Sequence, residues 1–340
     1  MIFRGNPGIA PIDEIVGIWD TNISPLNLGG LLMLVEELKI QARIFETILT
    51  TISIVGDQAD SLLPGKVFQY EDPIVLSSQE ACQGSLILSL LLDLDCIDGC
   101  YLCSGLGKFQ EYLKASPKCH FIWPKLNEQG SVNYKYGSTL FIQKYYIERS
   151  SIPHLSCKET LVRWAKDYIN RYITPAMPVV VHLKNNPKLT GYSNANFKSW
   201  QSFFQSCCGR YNVRFILIGN EPIDPGITQL PNVLVARERG SNLPRDLALI
   251  QSGRFFMGMS SGPCIMALFS DIPYVIYKNP DHHAEEMALE LGTDIRFPFS
   301  SSAQKVLRIY ETSENLMSEF VELLAHAQQS SVEAGLAKEK

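Results

Sequence analysis

The sequence predicts an α/β protein made of two open parallel-sheet domains, and three observations carry that prediction. The chain has 340 residues, 46% of them hydrophobic and 19% charged. That is too much apolar material for one small domain and enough for two cores. Short apolar runs alternate with helix-period patterns along the chain, as strand–helix–strand units require. A proline-rich break, Thr174-Pro175-Ala176-Met177-Pro178, divides the pattern into a domain of residues 1–174 and a domain of residues 175–340.

Composition excludes several classes. Lys and Arg total 30 against 35 Asp and Glu, a formal charge of −5. No global basic field exists to hold nucleic acid, although a local basic pocket for a phosphate remains allowed. Pro7 and Pro11 interrupt the N-terminus, which has no continuous apolar region of the kind a signal peptide needs. The most apolar run, Ser85 to Leu94, is too short to span a bilayer and is broken by Asp93. The expected location is the cytoplasm.

In the first domain, Ile15–Trp19 (IVGIW) reads as a strand ending at Asp20-Thr21-Asn22. After Asn27-Leu28-Gly29-Gly30 a helix is predicted, because Leu31, Leu34, Val35 and Leu38 fall at i, i+3, i+4 and i+7. Ile48–Val55 closes the unit as a second strand. Ser85–Asp93 fits either strand or helix. Cys119–Trp123 reads as a strand stopped by Pro124. Residues 125–150 are polar, with Tyr134, Tyr136, Tyr145 and Tyr146, and read as a long excursion or a small hairpin. Thr160 is placed as the cap of a helix through Leu161, Trp164, Ala165 and Tyr168.

The second domain is plainer. Strands are expected at Val179–Leu183, Arg214–Ile218, Asn232–Ala236, Phe255–Met257 and Tyr274–Tyr277. Helices are expected at Asn196–Cys207, with Phe197, Trp200 and Phe204 on one face, and from Pro244 to Gly253. A turn Ser260-Ser261-Gly262-Pro263 leads into a helix through Leu268. The last amphipathic helix runs from about Glu314 to Ala327, with Leu316, Phe320, Leu323 and Leu324 on its apolar side. Five strands with short helices between them make a Rossmann-like half.

Nine scattered cysteines fit reduced, mostly buried thiols. Cys96, Cys100 and Cys103 form C-x3-C-x2-C, which resembles the cluster-binding triplet of radical SAM enzymes. However, Leu102 stands where that family has an aromatic, and six regular βα repeats are missing.

Two such halves, the break between them and the final amphipathic helix look like a GT-B glycosyltransferase, in which two Rossmann-like domains face a cleft. The stretch Phe255-Phe256-Met257-Gly258-Met259-Ser260-Ser261-Gly262-Pro263, then Ala267-Leu268-Phe269 and Ile272-Pro273-Tyr274-Val275, is similar to the donor-site turn of the bacterial heptosyltransferase-like family, glycosyltransferase family 9. That family has a strand, Asn-Asp-Ser-Gly-Pro, a helix and a Pro-led strand. Asn232-Val233-Leu234-Val235 and Asp246-Leu247-Ala248-Leu249-Ile250 follow its order, so the resemblance covers roughly residues 178–280. The N-terminal half matches in layout only. Ser260 replaces the family's Asp, and Ile265 replaces its His. The resemblance therefore carries over the turn and its phosphate role and not those two side chains. Fucosyltransferases and UDP-sugar epimerases share the layout.

The resemblance implies a nucleotide diphosphate sugar as co-substrate, a glycan or glycolipid acceptor, and no metal or resident cofactor. It points to polysaccharide or lipopolysaccharide synthesis, where peripheral contact with a membrane surface is compatible with a lipid-borne acceptor. Ser260, Ser261 and Gly262 would offer amides and hydroxyls to the diphosphate, with Pro263 in the first helical turn. The alternative is an ordinary βα turn. His182 and Lys184, followed by Asn185, Asn186 and Lys188, would add positive charge at a strand end, unless they form a solvated loop. Arg237 and Arg239 would lie near base and ribose, or form a solvated cluster with Glu238. Lys278, Asp281 and His282 would reach the phosphate or donor sugar; adjacent His282 and His283 rarely both ligate a metal. An inverting transferase needs a base. Asp20 is the choice, against an Asx-turn role, with Asp57, Glu71 and Asp72 as competitors. Gly29 and Gly30 would let the first helix approach the donor, or simply make a tight turn. A nucleotide-sugar epimerase or hydrolase, and a non-catalytic binding protein, are the alternatives to a transferase.

Overall fold

The computed structural model describes residues 11–56, 62, 74–75, 86–186 and 193–338. Asp57, Glu71, Asp72 and Lys188 lie outside the described residues. The chain separates into two compact units, Met1–Glu159 and Thr160–Lys340.

The first unit starts with β1 (Glu14–Asp20), buried along its whole length, and α1 (Leu28–Phe45). Asn27 caps α1 by accepting the Gly30 N–H at 2.8 Å. Gly17 lets α1 settle on β1, because a Cβ there would lie 2.5 Å from Leu38 Cδ1. Then follow β2 (Thr50–Val55), β3 (Ile74–Val75), α2 (Leu86–Asp93), β4 (Gly99–Cys103), α3 (Leu106–Ala115), β5 (His120–Trp123) and α4 (Leu140–Arg149). The sheet order is β3-β4-β2-β1-β5, with β3 antiparallel and the other strands parallel. The direction of strand succession therefore reverses between β1 and β5.

The second unit holds α5 (Glu159–Tyr172) almost entirely, β6 (Met177–His182), α6 (Phe197–Cys207), β7 (Val213–Ile218), α7 (Pro225–Thr228), β8 (Val233–Val235), α8 (Leu243–Ser252), β9 (Phe255–Met259), α9 (Cys264–Leu268), β10 (Tyr274–Tyr277), α10 (Ala284–Glu290), β11 (Gln304–Leu307) and α11 (Ser313–Lys338). Its six strands run in the order β11-β10-β9-β6-β7-β8, all parallel. Numbered from β6, this is the 3-2-1-4-5-6 succession of a dinucleotide-binding sheet, reversing between β6 and β9. Both units are thus Rossmann-like, as the sequence predicts.

The aromatic face of α6 behaves as expected. Trp200, Phe203 and Phe204 are fully buried; Phe203 and Phe204 meet Phe215 of β7, Phe203 also meets Phe320 of α11, and Trp200 meets Tyr277 of β10. Each such ring removed from water contributes roughly 1.5–3 kcal/mol. The helix α5 belongs to the second unit because its aromatic face is engaged there. The Arg245 guanidinium lies 4.8 Å from the Trp164 ring centre and Arg239 5.7 Å from Tyr172.

Two elements differ from expectation, and the structure decides a third between its two readings. The stretch 125–150 opens on the small hairpin that was one of its two readings, with Leu126 and Val132 in an antiparallel bridge, but ends in the helix α4; only Ile142 and Tyr145 of that helix are buried, so no apolar stripe announces it. The ambiguous run at 85–93 is helical. The second sheet has a sixth strand, β11, hidden because Gln304 and Lys305 interrupt its apolar run. Both polar groups are answered: Gln304 donates to the carbonyls of Ser270 and Ile272, and Lys305 pairs with Glu319 and Glu322. Among the described residues no helix is long and apolar enough to cross a membrane.

The C-x3-C-x2-C cluster reading is corrected by β4. Cys100 and Cys103 lie three apart in one strand, so their side chains leave on opposite faces. Burial pushes the Cys96 and Cys100 thiols up to about 12, and among the described residues no group of three His, Cys, Asp or Glu could hold a metal.

Candidate functional site at the strand ends

The reversal between β6 and β9 leaves a crevice at the carboxyl ends of these strands, where ligands bind open parallel sheets. His182 ends β6 and is 2% exposed. Its Nδ1 lies 2.9 Å from the Ser261 hydroxyl beyond β9, and its Nε2 lies 3.1 Å from Glu221 Oε1 beyond β7. Three consecutive positions in the strand order thus meet at one imidazole. Two glycines make room for this histidine, Gly219 for its ring and Gly258 for its backbone. A Cβ on Gly219 would lie 2.9 Å from His182 Cδ2 and Nε2, and one on Gly258 would lie 2.6 Å from the His182 carbonyl oxygen. Gly219 has φ +99, so glycine is also required by its backbone.

Beside this triplet stand two lysines. Lys278 follows β10 and is buried, with its ammonium 3.5 Å from Ser260 Oγ. Lys184 follows β6 and is half-buried. Desolvation lowers the pKa of each, and the Lys184 charge lowers Lys278 further. Among the described residues neither makes an ion pair with a carboxylate. His282 lies in the same positive field; desolvation first, then Lys278, His283 and Lys184, push its imidazole down to about 4. It is a neutral ring at neutral pH, not a third cation.

The turn itself departs from the amide cradle that the resemblance implies. The Ser260 N–H is spent on the Tyr277 carbonyl at 2.7 Å, and the Ser261 N–H faces Cys264 Sγ at 3.3 Å. The following helix, α9, has only five residues. Positive charge in this crevice therefore comes from side chains. Ser260, Ser261 and Gly262 remain half-exposed at its edge.

Arg237 and Asp281 have other engagements. Arg237 donates to Asp246 at 3.4 Å, and the same buried carboxylate accepts the Gly219 N–H at 3.1 Å and the Ser241 hydroxyl. Asp246 thus ties the end of β7 to α8, and burial raises its pKa. Asp281 accepts from the Tyr310 hydroxyl at 2.6 Å.

In the first unit Asp20 ends β1 beside its own reversal point. Its carboxylate accepts the Asn22 N–H at 2.9 Å, the Asx turn weighed from sequence. Its N–H donates to the Tyr136 hydroxyl, which in turn donates to the Ile18 carbonyl. Gly29 and Gly30 lie in the first turn of α1. Gly30 is a packing position, since a Cβ there would sit 2.8 Å from Trp19 Cη2.

Two acidic residues escaped the sequence reading. Glu221 sits three residues past the end of β7. Glu37, on α1 but outside the Leu31, Leu34, Val35 and Leu38 stripe, is 1% exposed and accepts from Trp123 Nε1 at 2.8 Å and the Tyr134 hydroxyl at 2.6 Å. Burial pushes its carboxyl up to about 7 against those two bonds. The signal available was aromatic donors, Trp123 and Tyr134, within one strand-end region.

No protein-family model matches the chain, and no curated protein matches it. Solved structures do. A glycosyl transferase family 9 protein from Veillonella parvula DSM 2008 aligns over 93% of this chain and 99% of its own, at 11% identity and a TM-score of 0.54. The E. coli ADP-heptose LPS heptosyltransferase II aligns over 93% and 99%, at 10% identity and a TM-score of 0.52. With two Rossmann-like units in hand, the fold is GT-B and resembles that of glycosyltransferase family 9.

Proposed function

We propose that this protein is a glycosyltransferase that takes a sugar from a nucleotide diphosphate donor and transfers it to a glycan or glycolipid acceptor. The observation that carries the reading is the pair Lys184 and Lys278. Two ammonium groups are partly withdrawn from water at the reversal point of a nucleotide-type sheet; among the described residues neither forms an ion pair, and of the carboxylates only Glu221 acts on Lys184 and Glu286 and Glu290 on Lys278, through space. A dianionic diphosphate supplies the missing charge. In the transfer step the sugar–oxygen bond breaks and negative charge grows on the leaving diphosphate. The two lysines stabilise that charge, with no metal needed for this role. Asp20 takes the acceptor proton as the attacking oxygen bonds to the sugar carbon.

Melting scans with UDP, GDP, ADP, CMP and their sugars test this reading, because a ligand that binds only the folded state raises the melting temperature. One diphosphate and its sugar are expected to raise it, equally with and without a chelator. No rise with any of them would overturn the reading. Incubation with the stabilising donor and no acceptor separates the epimerase or hydrolase alternative, which would change or consume the sugar.

A further inference from the structure

Positive charge gathers at the end of α5. Arg171, in its last turn, places its guanidinium 5.2 Å from the ring centre of Tyr172, and Arg239 places a second one 5.7 Å from the same centre. Both arginines are exposed. The helix dipole favours one cation at this end, which accounts for Arg171. It does not account for Arg239, which reaches the ring from the turn Ala236–Arg239 after β8. That turn is fixed. Gly240 closes it at φ +84, and Asp246 holds both Arg237 and the Ser241 hydroxyl. Separate elements thus bring two like charges to one ring. Each is attracted by the ring and repelled by the other.

Among the described residues no carboxylate forms an ion pair with either guanidinium, Asp167 of α5 and Glu238 of the turn included. Asp246 is engaged by Arg237, Ser241 and the Gly219 N–H. Arg245, 4.8 Å from the Trp164 ring centre, adds a third guanidinium along the helix and donates to the Gly240 carbonyl.

A second observation points to a ligand. Tyr168 lies one turn before Tyr172, with ring centres 4.9 Å apart. It is 4% exposed, and among the described residues its hydroxyl has no hydrogen-bond partner. Burial is the largest influence on that hydroxyl and raises its pKa, so the proton stays in place; the Arg239 charge acts on it in the opposite sense. A buried O–H donor without an acceptor is uncommon and costly, and this one stands in the field of Arg239.

We propose that Arg171, Arg239 and Tyr168 form a binding site for a phosphate monoester, built from none of the lysines at the strand-end crevice. Two guanidiniums match the almost two charges that such a group carries near neutral pH. Their forked N–H groups suit its terminal oxygens, and the Tyr168 hydroxyl supplies a further hydrogen bond. A carboxylate or a phosphodiester would leave one guanidinium unanswered. Phosphorylated sugars and lipid headgroups both carry this group.

Removing the crevice lysines isolates the site. Inorganic phosphate and glucose 6-phosphate are titrated calorimetrically into the whole protein carrying Lys184→Ala and Lys278→Ala. The same protein is sedimented with phosphatidylcholine vesicles that contain or lack phosphatidic acid. Saturable binding of at least one of the three phosphates is expected. Adding Arg171→Gln and Arg239→Gln, both at exposed side chains, should weaken it at least about tenfold, and Tyr168→Phe should weaken it about threefold or more. Melting scans confirm that each variant is folded. Tighter binding of the soluble phosphates identifies a free phosphorylated compound, and tighter retention on phosphatidic acid identifies a lipid headgroup. No binding of any of the three, an arginine variant weakened by less than about tenfold, or Tyr168→Phe with unaltered affinity overturns the proposal. The outcome is separate from the diphosphate reading, because the lysines that carry that reading are already absent.

Discussion

The Ser261 hydroxyl and Nδ1 of His182 lie 2.9 Å apart across the line at which the strand order of the second sheet reverses. This bond joins β9 to β6, strands that are neighbours in space and distant in sequence. It marks the point in the strand order at which open parallel sheets bind their ligands. Four expected outcomes follow from this arrangement and its surroundings.

Gly219 is under double constraint. Its φ of +99 is unfavourable for any side chain, and a Cβ would reach within 2.3 Å of Glu221 Oε2 and 2.9 Å of the His182 ring. Gly219→Ala is expected to lower stability by about 1–3 kcal/mol in denaturant titration. Diphosphate affinity should also fall, because Glu221 is driven off His182. A variant as stable as the parent, with full affinity, would show that the loop does not fix the imidazole.

Glu37 sets a pH dependence of stability. Its carboxyl is near its ordinary value of 4.5 when unfolded and at about 7 when folded. The folded state therefore binds more protons between these values, and stability falls as pH rises through that window. The gap corresponds to about 3 kcal/mol. Glu36, whose burial also raises it, acts in the same direction. Glu37→Gln keeps a carbonyl acceptor for Trp123 and replaces the oxygen that accepts from Tyr134 by an amide that donates to the Tyr134 hydroxyl oxygen. It should flatten the decline in melting temperature between pH 4.5 and 7 and melt higher than the parent at pH 8.

Much of this architecture can be read from the sequence. The strands at Ile15, Val179, Arg214 and Tyr274 declare themselves because buried parallel strands are continuous apolar runs. Asn196 caps the start of α6 through its side chain, and Gly253 ends α8 in extended backbone, where a Cβ would lie 2.7 Å from Val180 Cγ2. The fifth and sixth strands of the second sheet divide along the same line: Tyr274–Tyr277 is uniformly apolar, while Gln304 and Lys305 need partners from Ser270, Ile272, Glu319 and Glu322 that only the folded chain brings near.

The site shows the same division. Lys184, Ser261 and Lys278 follow strands and can be placed at a strand end from pattern alone. Glu221 and Glu37 could not, because their importance comes from partners 39 and 86 residues away. The spending of the Ser260 and Ser261 amides on Tyr277 and Cys264 is likewise invisible until the turn is built.

Phe320 carries the docking of the last helix. It is fully buried, with ring centres 5.5 Å from Phe203, 5.8 Å from Phe215 and 6.0 Å from Phe255. Phe320→Ala should cost about 3–5 kcal/mol by equilibrium denaturation. A loss below 1 kcal/mol would mean that α11 contributes little to the second core.

The central claim is that Lys184 and Lys278 hold the diphosphate. It is tested most directly by calorimetric titration of the diphosphate that stabilises the parent into a Lys184→Ala, Lys278→Ala double variant whose fold is confirmed by circular dichroism. Each charged contact is worth about 1.5–3 kcal/mol, so affinity should fall at least about a hundredfold. An affinity within twofold of the parent would contradict the account.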